Sequence, residues 1–285
     1  MKCTVYVDGD FLVKDDIFLQ AMTPGILEAR GVFETLRVQD GHICLLEQHL
    51  ARLKKGLKVL NIRLPYTSKD LHFTIHKVLM FNQLKNARLR LMAYQKNGSF
   101  DLTVIAMPRK VLSEKDYHSG YSVTALDCPS RSQKYANVKS LDYSRYRDAF
   151  IKAGQQGYQE ALLVNSNGYV FEASRSNVFY IKKETVFTPA LSLGCLDGIT
   201  RQLILACARE HKVNVKMVKP SVKDFWTSDE AFLTNAIIGV MPMTKINGKT
   251  IKLGRIGDLT YQLRNWYLKK ILPASPIANP LNACV

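Results

Sequence analysis

The chain has 285 residues, of which 47% are hydrophobic and 22% charged. This ordinary globular composition excludes disordered and collagen-like proteins, and the length suggests two domains. Forty basic residues against 24 acidic ones give a net charge of +16, which suits a solvated surface first, a small anionic ligand second and nucleic acid last.

No run of residues approaches the ~20 apolar positions of a membrane helix. The first eight residues lack the basic segment and apolar segment of a secretory signal. We therefore expect a soluble, cytoplasmic protein that binds neither membranes nor nucleic acid.

The first third of the chain combines strand and helix patterns. Apolar residues alternate at 3–7 and 11–13 around the turn-forming Asp8-Gly9-Asp10, which predicts a hairpin. Helical spacing follows, and then a second pair of alternating segments joined by Asn97-Gly98. The predicted elements after the first hairpin are helices at 45–60 and 71–79 and strands at 87–94 and 101–106.

The segment 107–120 is polar and irregular, with Pro108 and Gly120, and is the predicted connection between domains. Asp197 precedes a helical pattern that runs to about 211, and we expect it to be the N-cap. Strand patterns occur at 121–125, 160–164, 169–171, 178–181, 231–234 and 240–246, and a last helix at 259–271. The expected division is a small α/β domain at 1–110, a linker at 111–121, a larger domain at 122–272 and a loose tail at 273–285.

Cysteine and histidine spacing does not predict a metal site. The six cysteines form no CxxC pair, which argues against both a zinc site and a disulfide framework. His72 and His76 lie four residues apart, but no glutamate lies between them in an HExxH pattern and no third ligand is evident. We expect no metal.

Seven segments resemble, in order, the fold-type IV pyridoxal-phosphate enzymes. This family includes branched-chain aminotransferases, D-amino acid aminotransferases and 4-amino-4-deoxychorismate lyases. The resemblance implies a two-domain α/β (α+β) fold of the D-amino acid aminotransferase type, pyridoxal 5'-phosphate in the cleft between the domains, and a homodimer. The matching segments are 31–37 (GVFETLR), 49–53 (HLARL), 139–143 (KSLDY), 172–177 (EASRSN), 188–189 (TP), 196–201 (LDGITR) and 229–236 (DEAFLTNA).

The resemblance assigns cofactor roles to individual residues. Lys139 lies where the family has the lysine that binds the cofactor covalently and then acts as acid and base. Glu172 matches the carboxylate at the pyridine nitrogen, and Tyr143 the group that bonds the ring oxygen. Arg52 and the backbone amides of Ile199 and Thr200 match the phosphate site, where a helix N-terminus and a guanidinium both favour an anion.

Two departures from the aminotransferase pattern point to a lyase. Asn235-Ala236 replaces the Thr-Gly-Thr type of cofactor-binding turn, and its continuation to Met243 is similar to aminodeoxychorismate lyases. Thr35 lies where branched-chain aminotransferases have glycine, and its hydroxyl could orient a proton or the substrate. Gln95 lies near the position of the carboxylate-binding arginine of D-amino acid aminotransferases, which disfavours that activity.

Arg88 and Arg90 lie two residues apart on a predicted strand and so share a face. If that face lines the cleft, the pair could bind a dianion, and Arg90 is the predicted contact for a substrate carboxylate. The resemblance thus implies a 4-amino-4-deoxychorismate lyase that makes 4-aminobenzoate for folate synthesis. The alternatives are a branched-chain or D-amino acid aminotransferase of the same fold and, more remotely, a non-catalytic basic nucleic-acid-binding protein.

Overall fold

Two β-sheets, each covered by helices, make up the fold. The computed structural model describes residues 3–14, 30–96, 98–132, 134–252 and 254–272. The predicted tail at 273–285 and Asn97 lie outside the described residues. None of the helices described there is long and apolar enough to cross a membrane, and no group of three or more metal-ligating side chains occurs in these ranges.

In the described part of the chain, the first sheet has six strands in the order β2-β1-β6-β5-β3-β4. The predicted first hairpin is present, with positive φ at Asp8 and Gly9 as a two-residue turn requires. Two helices bury their apolar stripes against the sheet, and the second begins with a capping box between Thr67 and Asp70. The elements are β1 Cys3–Val7, β2 Asp10–Lys14, β3 Arg30–Gln39, β4 His42–Ile43, α1 Leu46–Val59, α2 Ser68–Phe81, β5 Ala87–Lys96 and β6 Ser99–Pro108.

The second sheet has nine strands in the order β12-β11-β10-β13-β14-β7-β8-β9, with β15 paired to β14. Its strands are β7 Tyr121–Asp127, β8 Glu160–Val164, β9 Val170–Ala173, β10 Asn177–Lys182, β11 Thr185–Pro189, β12 Val215–Val218, β13 Glu230–Asn235, β14 Gly239–Ile246 and β15 Lys249–Thr250. The other helices of the described residues are α3 Glu114–Ser119, α4 Ser144–Gln155, α5 Ile199–Glu210, α6 Val222–Trp226 and α7 Asp258–Ile271, with a 3₁₀ turn at Leu191–Leu193.

Two expectations about local structure are wrong. The segment 107–120 is not irregular throughout, because a capping box between Ser113 and Asp116 starts α3, and Tyr117 of this helix is buried. Asp197 is not the N-cap of α5, which is Gly198. The Asp197 carboxylate instead binds Arg201 one turn into the helix, at 2.8 Å.

Strand β3 contacts the segment around Lys139, which lies between β7 and α4. Phe33 N–H donates to the Lys139 carbonyl at 2.9 Å, and Leu141 N–H to the Gly31 carbonyl at 3.0 Å. Gly31 also touches β5 so closely that a Cβ would lie 2.4 Å from the Cβ of Tyr94. The strand is therefore held between its own sheet and the lysine segment, and a side chain at position 31 would separate them.

Candidate active site

A cleft of about 590 Å³ lies between the two sheets. Residues from both sheets line it, so it forms only when the two halves pack together. It brings together all the site residues predicted from the sequence: Thr35, Arg52, Arg88, Arg90, Lys139, Tyr143, Glu172, Ile199, Thr200, Asn235 and Ala236.

Lys139 is half-buried in the cleft, with its amine 4.5 Å from the centre of the Phe33 ring. Burial first, and then the charge of Arg52, lower the pKa of this amine to about 7, although Glu34 opposes the shift. A substantial fraction of Lys139 is thus neutral near pH 7, as a nucleophilic amine or a general base must be.

Arg52 is held in the cleft by a buried carboxylate. Its Nε and Nη2 donate to the two oxygens of Glu34 at 2.8 and 2.7 Å, and His49 Nδ1 lies 2.7 Å from the same carboxylate. Burial acts to raise the pKa of Glu34, but Arg52 and His49 outweigh it and hold the pKa at about 2. Glu34 is therefore an anion that fixes the direction of the Arg52 guanidinium.

Glu172 presents one unpaired oxygen. Its Oε2 accepts from Leu196 N–H at 3.1 Å, whereas Oε1 is buried without a hydrogen-bond partner. Burial raises the pKa of this carboxyl, and the nearby Arg131 lowers it in part. A cationic N–H group placed against Oε1 would satisfy the orphaned atom and favour the charged carboxylate.

The N-terminus of α5 opens into the cleft at Ile199 and Thr200. Amides in the first turn of a helix lack partners within the helix and favour an anion. Gly198 is required at the cap, since a Cβ there would lie 2.0 Å from Oδ1 of Asn177.

Tyr143 lines the cleft, but its hydroxyl donates to the Ser174 carbonyl. The ring stacks on Tyr146, with centroids 5.0 Å apart, and meets Phe33 edge-on. A hydroxyl that donates to the protein can only accept from a ligand. The predicted contact with the cofactor's ring oxygen therefore requires that oxygen to carry a proton or the Tyr143 hydroxyl to turn.

The side chain of Asn235 is occupied within the protein. Its Oδ1 accepts from the amides of Ile237 and Ile238 at 2.8 and 2.9 Å, and its Nδ2 donates to Ser176 Oγ at 3.0 Å. Any contact that residues 235 and 236 make with a ligand would therefore come from the main chain.

The other wall of the cleft is rich in arginine. Thr35 and Arg90 are register partners on β3 and β5, and Arg88 lies on the same face of β5 as Arg90. Burial and the charge of Arg88 together lower the pKa of Arg90 to about 10. Arg88 is exposed and Arg90 half-buried, and neither forms an ion pair with a carboxylate of the described residues. Two such neighbouring guanidinium groups suit the binding of an anion.

Sequence reasoning missed Glu34 and Arg131. Glu34 lies within the GVFETLR segment, and a carboxylate in the middle of this mainly apolar segment was the available signal. Arg131, whose Nη1 donates to the Val138 carbonyl at 2.9 Å, lies in a loop with no pattern. Nothing local in the sequence distinguishes it from the other arginines.

The model of the family described as "Amino-transferase class IV" matches residues 31–246, more than half of the chain. The chain belongs to the class IV aminotransferase family. The expected family is thereby confirmed, as is the cofactor, since this family uses pyridoxal 5'-phosphate.

Two relatives with different reactions match this class IV chain over nearly its whole length. A Methanocaldococcus jannaschii protein, provisionally named a branched-chain-amino-acid aminotransferase, is 29% identical, covering 91% of this chain and 93% of the relative. The aminodeoxychorismate lyase of Bacillus subtilis is 27% identical and covers 94% of both. These similar identities support the family and leave lyase and aminotransferase both open.

The predicted fold is confirmed as well. The branched-chain amino acid aminotransferase of Escherichia coli superposes with a TM-score of 0.83 at 22% identity, covering 93% of each chain. The cleft of this chain fits pyridoxal phosphate by its own chemistry. Glu172 has an unpaired oxygen that would suit the ring nitrogen, the α5 amides and Arg52 would suit the phosphate, and Lys139 would supply the amine.

Proposed function

We propose that this class IV enzyme is a 4-amino-4-deoxychorismate lyase, which eliminates pyruvate and leaves 4-aminobenzoate. The observation that carries the proposal is the position of Thr35. It lines the cleft on the face of β3 that also presents Phe33, the residue beside the Lys139 amine. A hydroxyl there can orient the substrate or a proton near the lysine, where the branched-chain aminotransferase pattern has only glycine.

The substrate loses one proton and one C–O bond. When bound, pyridoxal phosphate supplies the electron sink for this chemistry. Lys139 accepts the proton from the amine-bearing ring carbon, for which its pKa of about 7 is suited. The bond from the adjacent ring carbon to the enolpyruvyl oxygen then breaks, and the released enolpyruvate takes up a proton to become pyruvate.

The other cleft residues bind the cofactor and the substrate. The Glu172 carboxylate favours a protonated pyridine nitrogen, and Arg52, directed by Glu34, pairs with the phosphate. Arg90, with Arg88 beside it, is placed to bind a carboxylate of the dianionic substrate. Aromatisation of the product ring supplies a driving force that transamination lacks.

The leading alternative is an aminotransferase for branched-chain or D-amino acids. The 29% identity to the Methanocaldococcus jannaschii protein favours it. A lyase needs no keto acid, whereas an aminotransferase turns over only when both an amino donor and a keto-acid acceptor are present. A nucleic-acid-binding role rests on the net charge alone, and sub-micromolar, steeply salt-dependent binding would be needed to support it.

From the family we also infer the oligomeric state and the location: a cytoplasmic homodimer, with domains near 1–110 and 122–272. The deciding experiment records the visible absorbance of the purified protein and then adds aminodeoxychorismate without a keto acid. Pyruvate release by a yellow protein supports the lyase. A yellow protein that reacts only with an amino acid and a keto acid together refutes the lyase and supports the aminotransferase.

A further inference from the structure

Two buried arginines, Arg37 and Arg109, lie close together beside the cleft. They are 6% and 9% exposed, and Arg109 lines the cleft itself. Arg37 donates from Nη2 to the Gln39 side chain, and Arg109 donates from Nη1 to the Lys110 carbonyl at 3.4 Å. The Nε and Nη1 of Arg37 and the Nε and Nη2 of Arg109 have no partner.

Two buried, unpaired guanidinium groups lower the stability of the folded protein unless they bind an anion. A buried, unpaired guanidinium loses its hydration without compensation, and two together also repel each other. Burial lowers the pKa of Arg109, and the charge of Arg37 lowers it further. No described carboxylate forms an ion pair with either arginine. A planar carboxylate matches the paired donors of a guanidinium and would satisfy the unpaired nitrogens.

The absence of a side chain at Gly239 leaves space beside the Arg37 guanidinium. Gly239 adopts φ +64°, and a Cβ there would lie 3.0 Å from the ring of Tyr267 and 3.7 Å from Nη1 of Arg37. The left-handed backbone and the crowding both favour glycine at this position. A larger residue would press on the same guanidinium atom that lacks a partner.

The Arg37 and Arg109 pair lies at a defined distance from Lys139 along β3. Phe33, Thr35 and Arg37 alternate along β3 and so project from the same face. Four residues of strand span about 13 Å, so the Arg37 backbone lies well beyond Thr35 from the end marked by Phe33. A ligand that reaches from Lys139 past Thr35 would present its far end to Arg109, which lines the cleft, with Arg37 behind it.

We propose that Arg37 and Arg109 form a carboxylate subsite that binds the ring carboxylate of the substrate, the group opposite its amine. The identity of that carboxylate rests on the proposed lyase function, whereas the need for an anion rests on the unpaired guanidinium atoms alone. Arg37 is the register partner of Arg88 across β3 and β5, so the subsite adjoins the Arg88 and Arg90 pair. We assign the enolpyruvyl carboxylate to Arg88 and Arg90.

The test measures dissociation constants of the cofactor-loaded protein for two amine-free probes. Chorismate carries both carboxylates, and 4-hydroxybenzoate carries only the ring carboxylate. Arg109→Gln should weaken both probes at least tenfold, and Arg109→Lys should recover part of the loss because the charge remains. The matched control is Arg63→Gln, an exposed arginine outside the cleft, which should bind both probes as the unaltered protein does. Cofactor absorbance and the unfolding midpoint verify folding, and Arg37→Gln replaces any Arg109 variant that misfolds.

Unchanged binding of both probes in folded variants would overturn the proposal. Weakening of chorismate alone would overturn the assignment to the ring carboxylate, and a wild-type protein that binds neither probe would overturn the subsite. Pyruvate release by the wild-type protein is measured separately. If that release fails while 4-hydroxybenzoate binding still depends on Arg109, the lyase is refuted and the anion subsite remains.

Discussion

The main chain of Phe33 donates a hydrogen bond to the carbonyl of Lys139 at 2.9 Å, and the Phe33 ring lies 4.5 Å from the amine of the same lysine. One residue of the first sheet thus fixes the backbone of the lysine and forms a wall against its side chain. The lysine segment is thereby held at both its main chain and its reactive end.

Replacing Lys139 should remove both chemistry and covalent cofactor binding. In Lys139→Ala we expect turnover to fall by more than about a thousandfold, because no other amine in the cleft takes the same position. The visible absorbance of the bound cofactor should disappear as well. The matched control is Lys152→Ala, which removes an exposed lysine on α4. Near-normal turnover in the Lys139 variant would refute the mechanism.

The lowered pKa of Lys139 predicts how cofactor capture depends on pH. Only the neutral amine attacks an aldehyde, so the capture rate should rise about tenfold per pH unit up to about pH 7 and then level off. A lysine with an ordinary pKa would continue to gain rate up to about pH 10. The measurement is the rate at which visible absorbance develops after pyridoxal phosphate is added to cofactor-stripped protein.

Thr35 should affect the reaction more than cofactor binding. For Thr35→Gly we expect the lyase rate to fall roughly 10- to 100-fold, because the hydroxyl that orients the substrate or its proton is lost. The cofactor should stay bound, and Thr35→Ser, which keeps the hydroxyl, should recover most of the rate. An unchanged rate in the glycine variant would exclude Thr35 from the reaction.

Glu172→Gln tests the role of the orphaned carboxylate oxygen. The amide keeps the shape of the side chain but removes the charge, so the cofactor's ring nitrogen should lose its proton and withdraw electrons less well. We expect the rate to fall about a hundredfold and the absorbance maximum of the bound cofactor to move. Glu184→Gln serves as the control, since Glu184 lies in an exposed turn. Wild-type rates in the Glu172 variant would contradict its assignment.

Glu34 should contribute stability only where it is ionised. Because its pKa is held at about 2 in the folded protein, against 4.5 ordinarily, its contribution is complete above about pH 4.5 and is lost as the pH falls towards 2. At neutral pH, Glu34→Gln should lower the free energy of unfolding by about 3 kcal/mol, since Arg52 is left without its counter-charge. Urea unfolding at neutral and acidic pH should show this difference shrinking in acid, and a constant difference would contradict it.

Strong local patterns predicted most of the regular structure, and contacts distant in sequence explain what they missed. Alternation and turn residues predicted the hairpins, and helical spacing predicted α1, α2, α5 and α7. Helix α3 was missed because its six residues are mostly polar and depend on a cap and on a bond from Tyr117 to the carbonyl of Ile238. Asp197 was wrongly assigned as a cap because Arg201 competes for its carboxylate.

In the site, too, sequence motifs predicted some features, and contacts distant in sequence determine the others. The resemblance indicated which side chains would gather, and the structure places all of them in one cleft. The resemblance did not indicate that the Asn235 side chain would form its hydrogen bonds within the protein, because these depend on Ser176 and the local backbone. The Arg37 and Arg109 pair is separated by 72 positions and belongs to no shared motif, so only the fold reveals it.

The strand order also has a consequence for synthesis on the ribosome. All strands of the first sheet are present in the chain by Pro108, whereas β7, which is next in sequence, lies between β8 and β14 and cannot complete its pairing until residues 239–246 have been made. Domains made first generally fold first. Strand β3, which hydrogen-bonds the Lys139 main chain, is thus translated before the lysine itself. The first sheet can therefore present its binding surface for the lysine segment before that segment leaves the ribosome.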